Sequence, residues 1–267
     1  MNHIAYQQWG DPQASRQLIM LHGWGMNSGV WADIAGQLVQ DCPQLHIIAP
    51  DLPGYGESSN YDFDVIDGHY NAAGLAQSLA FLVEKQSIVL GWSMGGLVAI
   101  AMSQAFPQLI SQLILISSTP RFVQGENWEY AIKASIFEEF YCYLEQDHQA
   151  TLKRFMAIQA MGSQTARNDI KTLQAQLLKR GEADLTALRF GLKMLLNEDK
   201  RRQLSLITQI PVDLIAGQYD TLVNIRAQQQ LAQQNNIKLY PIAHAGHAPF
   251  ISHPQVFMNI LREIIEH

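Results

Sequence analysis

One pentapeptide and its flanks constrain this chain more than any other feature. Ser87-Ile88-Val89-Leu90 is a short apolar, partly β-branched run that reads as a buried strand, and Gly96 to Met102 opens a helix. Between them lies Gly91-Trp92-Ser93-Met94-Gly95. A serine in G-x-S-x-G at a strand-to-helix junction sits on a turn so tight that its backbone is strained and its hydroxyl is pushed clear of the sheet. Gly91 and Gly95 flank it because side chains there would collide with the turn. Ser93 is therefore the candidate nucleophile.

The rest of the chain supplies a sheet for that turn. Leu18 to Leu21, Leu45 to Ala49, Leu113 to Ile116 and Val212 to Ala216 read as strands buried on both faces, and Ile237 to Ile242 as a more exposed one. Such runs alternating with helical patterns predict an α/β fold with a mostly parallel, doubly wound sheet. The first ten residues are expected to add antiparallel edge strands. Pro254 suits a first helical position, followed by apolar residues at helical spacing to Ile264. The alternation breaks between Arg121 and Gln203, where helical patterns run over Tyr130–Leu144, Gln149–Met161, Thr165–Arg180 and Asp184–Asn197. This divides the chain into a core, 1–120 and 204–267, and an inserted helical cap or lid, 121–203.

A serine hydroxyl needs a base within hydrogen-bond reach and a carboxylate to orient that base. Asp220 follows the strand ending near Ala216, whereas Asp213 lies inside it, so Asp220 is the expected acid. After the last strand come His244, His247 and His253. His247 is the expected base, because Gly246 lets its loop bend back to the sheet edge; the other two read as structural. An oxyanion hole needs two backbone donors, expected from Met94, directly after the serine, and from Trp24 in the loop Leu21-His22-Gly23-Trp24-Gly25. His22 reads as a buried polar residue shaping that loop, and the turn-rich Asp51 to Ser58 carries no assigned chemistry.

Composition removes whole classes of function. A formal charge of −6 over 267 residues opposes a general nucleic-acid binder. No metal-ligand cluster or phosphate-binding glycine loop is present, so no metal and no cofactor are expected. The start lacks a basic n-region and an apolar h-region, and no apolar run is long enough to span a bilayer. A soluble, cytoplasmic monomer without membrane contact is the expectation. Cys42 and Cys142 match no metal or redox spacing and read as buried thiols.

With these residues assembled, the chain resembles the α/β-hydrolase superfamily over its whole length. Within it, the chain is most similar to the carboxylesterases of biotin synthesis that demethylate pimeloyl-acyl-carrier-protein methyl ester. The similarity extends from Leu21-His22-Gly23-Trp24-Gly25 and the elbow to Ala245-Gly246-His247-Ala248-Pro249-Phe250 and to Arg154 through Gly162. It implies substrate contacts from Trp24, Ser93, Met94 and His247. It also implies an acyl channel lined by Phe155, Met156, Ala157, Ile158 and Gln159, and an acidic acyl carrier protein as partner. Arg154, Arg167 and Lys171 match positions that dock the carrier; Ala150 stands where an arginine is expected, with Lys153 nearby.

The charge distribution points the same way. Thirteen of the 18 Lys and Arg fall between Arg121 and Arg202, and Ala150–Arg180 holds six of them (Lys153, Arg154, Arg167, Lys171, Lys179 and Arg180) against one acid, Asp169. A basic cap on an acidic chain suits steering of an acidic partner. Two other functions fit the same residues: a general short-chain esterase, thioesterase or carbon–carbon bond hydrolase, and a non-catalytic binding protein that keeps the fold as a ligand pocket.

Overall fold

Alternate residues along each central strand divide between two hydrophobic cores. In β2 (Arg16–Leu21), Leu18 and Met20 join one core and Ile19 and Leu21 the other. A period of two with apolar residues on both faces requires helices above and below the sheet. The computed structural model describes residues 3–62, 70–84 and 86–266, and it has that arrangement. Seven strands lie in the order β1-β3-β2-β4-β5-β6-β7. They comprise β1 (Tyr6–Trp9), β2, β3 (Leu45–Pro50), β4 (Ser87–Trp92), β5 (Ile110–Ile116), β6 (Val212–Gly217) and β7 (Lys238–Ile242). Among the strands of the described residues only β1 is antiparallel, pairing Tyr6 with Pro50 and Trp9 with Ile47; it is the single edge strand within the described part of the first ten residues.

One core packs α1 (Ala32–Asp41) and α11 (Pro254–Glu266) against the sheet. The other packs α2 (Ala72–Ser78), α3 (Met94–Ala105) and α9 (Ile225–Asn235). A short α10 (Pro249–Ser252) precedes α11. From β2 the chain crosses to β3 on one side, and then to β4 on the other side of β2. The carboxyl ends of β2 and β4, paired through Leu21 and Gly91, therefore flank the topological switch point where α/β sheets open a crevice. The loop with Trp24 and the turn with Ser93 both leave the sheet there.

Between β5 and β6 the chain makes a helical excursion of α4 (Ala134–Gln146), α5 (His148–Gln159), α6 (Ala166–Arg180), α7 (Leu185–Asn197) and α8 (Arg201–Ser205). The helix expected from Tyr130 begins four residues later. Residues before it are held by isolated bridges, Val123 to Ile132 and Gly125 to Trp128, with Arg121 Nε donating to Val123 O at 2.8 Å. Cys142 is exposed, not buried as expected. Helical spacing turns Phe137, Phe140, Tyr141 and Leu144 of α4 toward the core, which leaves Cys142 on the opposite face. Cys42 is buried. Among the described residues no helix is long and apolar enough to cross a membrane.

One buried ion pair fastens the excursion to the core. Asp51, directly after β3, is fully buried and accepts hydrogen bonds from Ser28 N–H (2.7 Å) and Glu57 N–H (3.0 Å). Arg180, the last residue of α6, donates to it through Nε (3.0 Å) and Nη2 (2.9 Å) and reaches Glu57 at 2.8 Å. Asn27 Nδ2 donates to Leu177 O and Gly181 O, both at 2.9 Å, beside the same junction. Replacing Arg180 by Met leaves the Asp51 carboxylate buried without its cation, at a cost of about 3 kcal/mol. Thermal unfolding is expected to show this as a fall of roughly 6–10 °C in Tm. A fall under about 1 °C would mean that the pair does not hold the two parts together.

Candidate active site

The elbow has the geometry its sequence predicts. Ser93 lies between β4 and α3 at φ 54°, ψ −122°, a backbone region that side chains rarely occupy. Neighbours hold it there: its N–H donates to Ile116 O (3.0 Å) and its carbonyl accepts from Ser118 Oγ (2.7 Å). A side chain at Gly95 would reach within 2.6 Å of His22 O and 2.7 Å of Leu21 O, so only glycine lets α3 start this close to β2. The helix begins at Met94, two residues earlier than its apolar run suggested.

His247 Nε2 lies 2.8 Å from Ser93 Oγ, and His247 Nδ1 lies 2.8 Å from Asp220 Oδ2. A carboxylate only accepts, so the Nδ1 proton points to Asp220 and Nε2 of the neutral ring accepts from the serine hydroxyl. Asp220 is oriented in turn, because its Oδ1 accepts from Leu222 N–H (2.8 Å) and Val223 N–H (2.9 Å). His247 is pinned by two backbone contacts. Trp92 Nε1 donates to its carbonyl (2.8 Å), and its own N–H donates to Gln159 O (3.1 Å) at the end of α5. All three side chains are buried. Asp213 is also buried, but within β6, where it accepts from Gln112 Nε2 (2.9 Å) and burial pushes its carboxyl up. His244 packs edge-on against Tyr219 at 5.3 Å, and His253 Nδ1 lies 2.9 Å from Ser252 Oγ, both apart from the serine.

The loop after β2 lies against this group. A side chain at Gly23 would meet Ser93 Cβ at 3.1 Å and the Trp92 ring at 3.2 Å. Met94 N–H is the first of its helix and has no intrahelical partner. Neither it nor Trp24 N–H donates to a protein acceptor among the described residues. The Trp24 ring is fully buried and joins several helices of the excursion. Its Nε1 donates to Leu188 O of α7 (2.9 Å), and it packs edge-on against Phe140 of α4 (5.8 Å) and Phe155 of α5 (4.8 Å).

The five expected channel residues do not share one environment. Phe155, Met156 and Gln159 are buried, Ile158 is half-buried and Ala157 is exposed. At about 3.6 residues per turn a helix buries one face, which accounts for the change of environment along these five consecutive positions. Phe155 lies in the core with Trp24, whereas Met156 packs in the other core with Trp31 and Leu177. Both polar atoms of the Gln159 carboxamide are buried with no hydrogen-bond partner among the described residues. The sequence reading passed over Tyr55, which is fully buried with its hydroxyl 3.3 Å from Ala187 O and 4.0 Å from Met94 Sδ. Its only signal was an aromatic residue in the turn-rich Asp51–Ser58 segment.

On the expected docking face, Lys153, Arg154, Arg167, Lys171 and Lys179 are exposed and form no ion pair among the described residues. The Arg154 guanidinium lies 4.9 Å from the centre of the Tyr143 ring. Arg180 does not belong to this set, because it is committed to Asp51 and Glu57. Arg121, Arg189, Lys200 and Arg201 are paired as well.

A mostly parallel sheet in this strand order, with a serine elbow after β4 and an acid and a histidine after β6 and β7, defines an α/β-hydrolase. The family described as the alpha/beta hydrolase fold matches residues 17–254. The chain is 37% identical over 249 residues to the pimeloyl-acyl-carrier-protein methyl ester esterase of Pseudoalteromonas atlantica, covering 92% of each. It is 37% identical over 261 residues to the enzyme of the same name from Photobacterium profundum, covering 97% of this chain and 98% of that one. Among solved structures, an esterase from Exiguobacterium antarcticum superposes with a TM-score of 0.84 at 21% identity, over 99% of this chain and 96% of that one. The chain belongs to the α/β-hydrolase family and, within it, to the family of these methyl ester esterases.

Proposed function

We propose that this chain is a cytoplasmic serine carboxylesterase that hydrolyses the methyl ester of pimeloyl-acyl-carrier protein, using Ser93, His247 and Asp220, with residues 121–203 as its cap. The observation that carries the reading is the connected Ser93–His247–Asp220 relay at 2.8 Å per step, in a chain 37% identical to enzymes named for that reaction. Ser93 Oγ attacks the ester carbonyl carbon as its proton passes to His247 Nε2. The tetrahedral oxyanion rests on the N–H groups of Met94 and Trp24. It collapses by breaking the bond to the methoxy oxygen, which leaves as methanol with the proton from His247. Water, deprotonated by His247, then attacks the acyl-enzyme, releases the pimeloyl carboxylate and restores Ser93. The intact relay also opposes a purely ligand-binding role.

Ser93 is only 3% exposed, so an ester reaches it when the contacts of Trp24 with Phe140 and Phe155 part. Phe155 then provides apolar lining for the acyl chain, and the Gln159 carboxamide, without a partner among the described residues, offers a hydrogen bond to a polar substrate group. Lys153, Arg154, Arg167, Lys171 and Lys179 attract an acidic carrier to the outer face, and Lys153 lies one turn from Ala150.

The comparison that tests this reading is kcat/KM on the carrier-linked methyl ester against the same ester free. Arg154→Glu together with Arg167→Glu is expected to reduce kcat/KM on the carrier-linked ester at least about tenfold at low salt, with a smaller loss at high salt. Free methyl esters should be hydrolysed as by the wild type. Equal losses on both substrates would remove the docking role.

A further inference from the structure

We propose that His22 is a positioning residue for the reaction: through a single tautomer it fixes the plane of the Gly23–Trp24 peptide, whose N–H is the second oxyanion donor. The inference rests on the reading of Ser93 as nucleophile and of Trp24 N–H as an oxyanion donor. His22 is the first residue beyond β2 and is fully buried. Its Nε2 lies 3.0 Å from the backbone N–H of Leu52, which can only donate, so Nε2 is the unprotonated nitrogen. Its Nδ1 lies 2.9 Å from Gly23 O, which can only accept, so Nδ1 carries the proton. The two contacts independently require the same tautomer.

The consequence lies in the peptide that His22 grips. Gly23 C=O and Trp24 N–H belong to one planar trans unit, and their bonds point in opposite directions. Holding the oxygen toward the imidazole therefore turns the N–H away from it. Gly23 itself abuts Ser93 and Trp92, and Trp24 N–H has no protein acceptor among the described residues. Met26 N–H also donates to Gly23 O, at 3.3 Å, closing the turn from the other side. His22 supplies the shorter of the two bonds, and its other nitrogen anchors the loop to Leu52 after the neighbouring β3.

The surroundings keep the ring in that state. The Tyr55 ring packs edge-on against it at 5.2 Å, and the charges of Asp51 and Arg180 act on it in opposite directions. Burial pushes the imidazole down to about 4, so the ring stays neutral at physiological pH with both contacts in place. A histidine suits the position because one flat ring presents a donor and an acceptor to two loops at once.

Three substitutions separate positioning from packing. Asparagine places an N–H close to where Nδ1 stands and can still hold Gly23 O. Glutamine reaches toward Leu52 and abandons Gly23, and leucine does neither. With p-nitrophenyl butyrate as substrate, His22→Gln and His22→Leu are expected to lower kcat about 100-fold with KM changed less than threefold, the size of loss seen when one oxyanion donor is displaced. His22→Asn should recover to within about fivefold of wild type. Binding of a trifluoromethyl ketone, whose adduct needs the same donor, should weaken in parallel with kcat/KM.

Turnover by folded His22→Gln and His22→Leu within twofold of wild type would overturn the proposal. So would a His22→Asn variant that falls as far as they do while ketone binding is unchanged. Because these variants can lose stability, the wild-type protein supplies a separate check. Its ¹⁵N-histidine spectrum should show His22 neutral and protonated on Nδ1 at pH 7, and a proton on Nε2 would overturn the proposal outright. Ser93→Ala run alongside distinguishes the two readings, since only active Ser93→Ala removes the nucleophile assignment itself.

Discussion

Replacing Ser93 by alanine is expected to reduce turnover of the methyl ester about 10⁶-fold while leaving the fold and carrier binding in place. The serine hydroxyl is the one group in the site that forms a covalent bond to the substrate in the proposed cycle. No neighbour can replace it: Ser117 and Ser118 are buried after β5, and Ser118 Oγ is already bonded to the carbonyl of residue 93. The hydrogen bonds that hold residue 93 at φ 54° involve its backbone and not its hydroxyl, so the elbow should not relax into another turn. What survives is the oxyanion hole and the binding surface, which together leave a residual acceleration of about 10³–10⁴ over water. The measurement pairs single-turnover hydrolysis, which should fall to that residual level, with fluorophosphonate labelling, which should vanish. Retention of more than about 1% of wild-type turnover would mean that another group carries the nucleophile.

How far the site could be read in advance depended on sequence distance. The elbow is local: its strand, serine and helix fall within twenty residues, and the steric demands of the turn are written in Gly91 and Gly95. The sheet was legible because each central strand is apolar on both faces, a pattern that survives without knowing which strands pair. Asp220 and His247 could be placed because a parallel sheet delivers successive loops to one edge, which turns chain order into position.

What escaped depends on contacts that no local pattern records. Arg180 looked like one more basic residue on a cap helix. Its partner Asp51 lies 129 positions away and had looked like part of a turn. Cys142 was misplaced for a related reason. It sits in a helix whose buried face is chosen by what it packs against, and one step along a helix turns a side chain by about 100°. His22 was legible as a loop-shaping residue, but its tautomer required Leu52 N–H and Gly23 O to be in view together.

Asp220→Asn is expected to cost about 10⁴ in kcat with little change in KM, although the substitution is nearly isosteric. The reason lies in how the carboxylate is held. Oδ1 accepts two backbone N–H bonds, from Leu222 and Val223, so an asparagine at 220 will keep its carbonyl oxygen on that side. Its amide NH₂ then faces His247 Nδ1 across the 2.8 Å gap where Oδ2 now stands. Two donors cannot face each other, so Nδ1 must become the acceptor and the ring proton moves to Nε2. There it points at Ser93 Oγ, and the nitrogen that should take the serine proton no longer has a lone pair to take it with. Asp213 offers no rescue, since it lies inside β6 and is engaged by Gln112. Steady-state kinetics on the free methyl ester decide the matter. A kcat within tenfold of wild type would show that His247 keeps its working tautomer without Asp220, and the acid would have to be sought elsewhere.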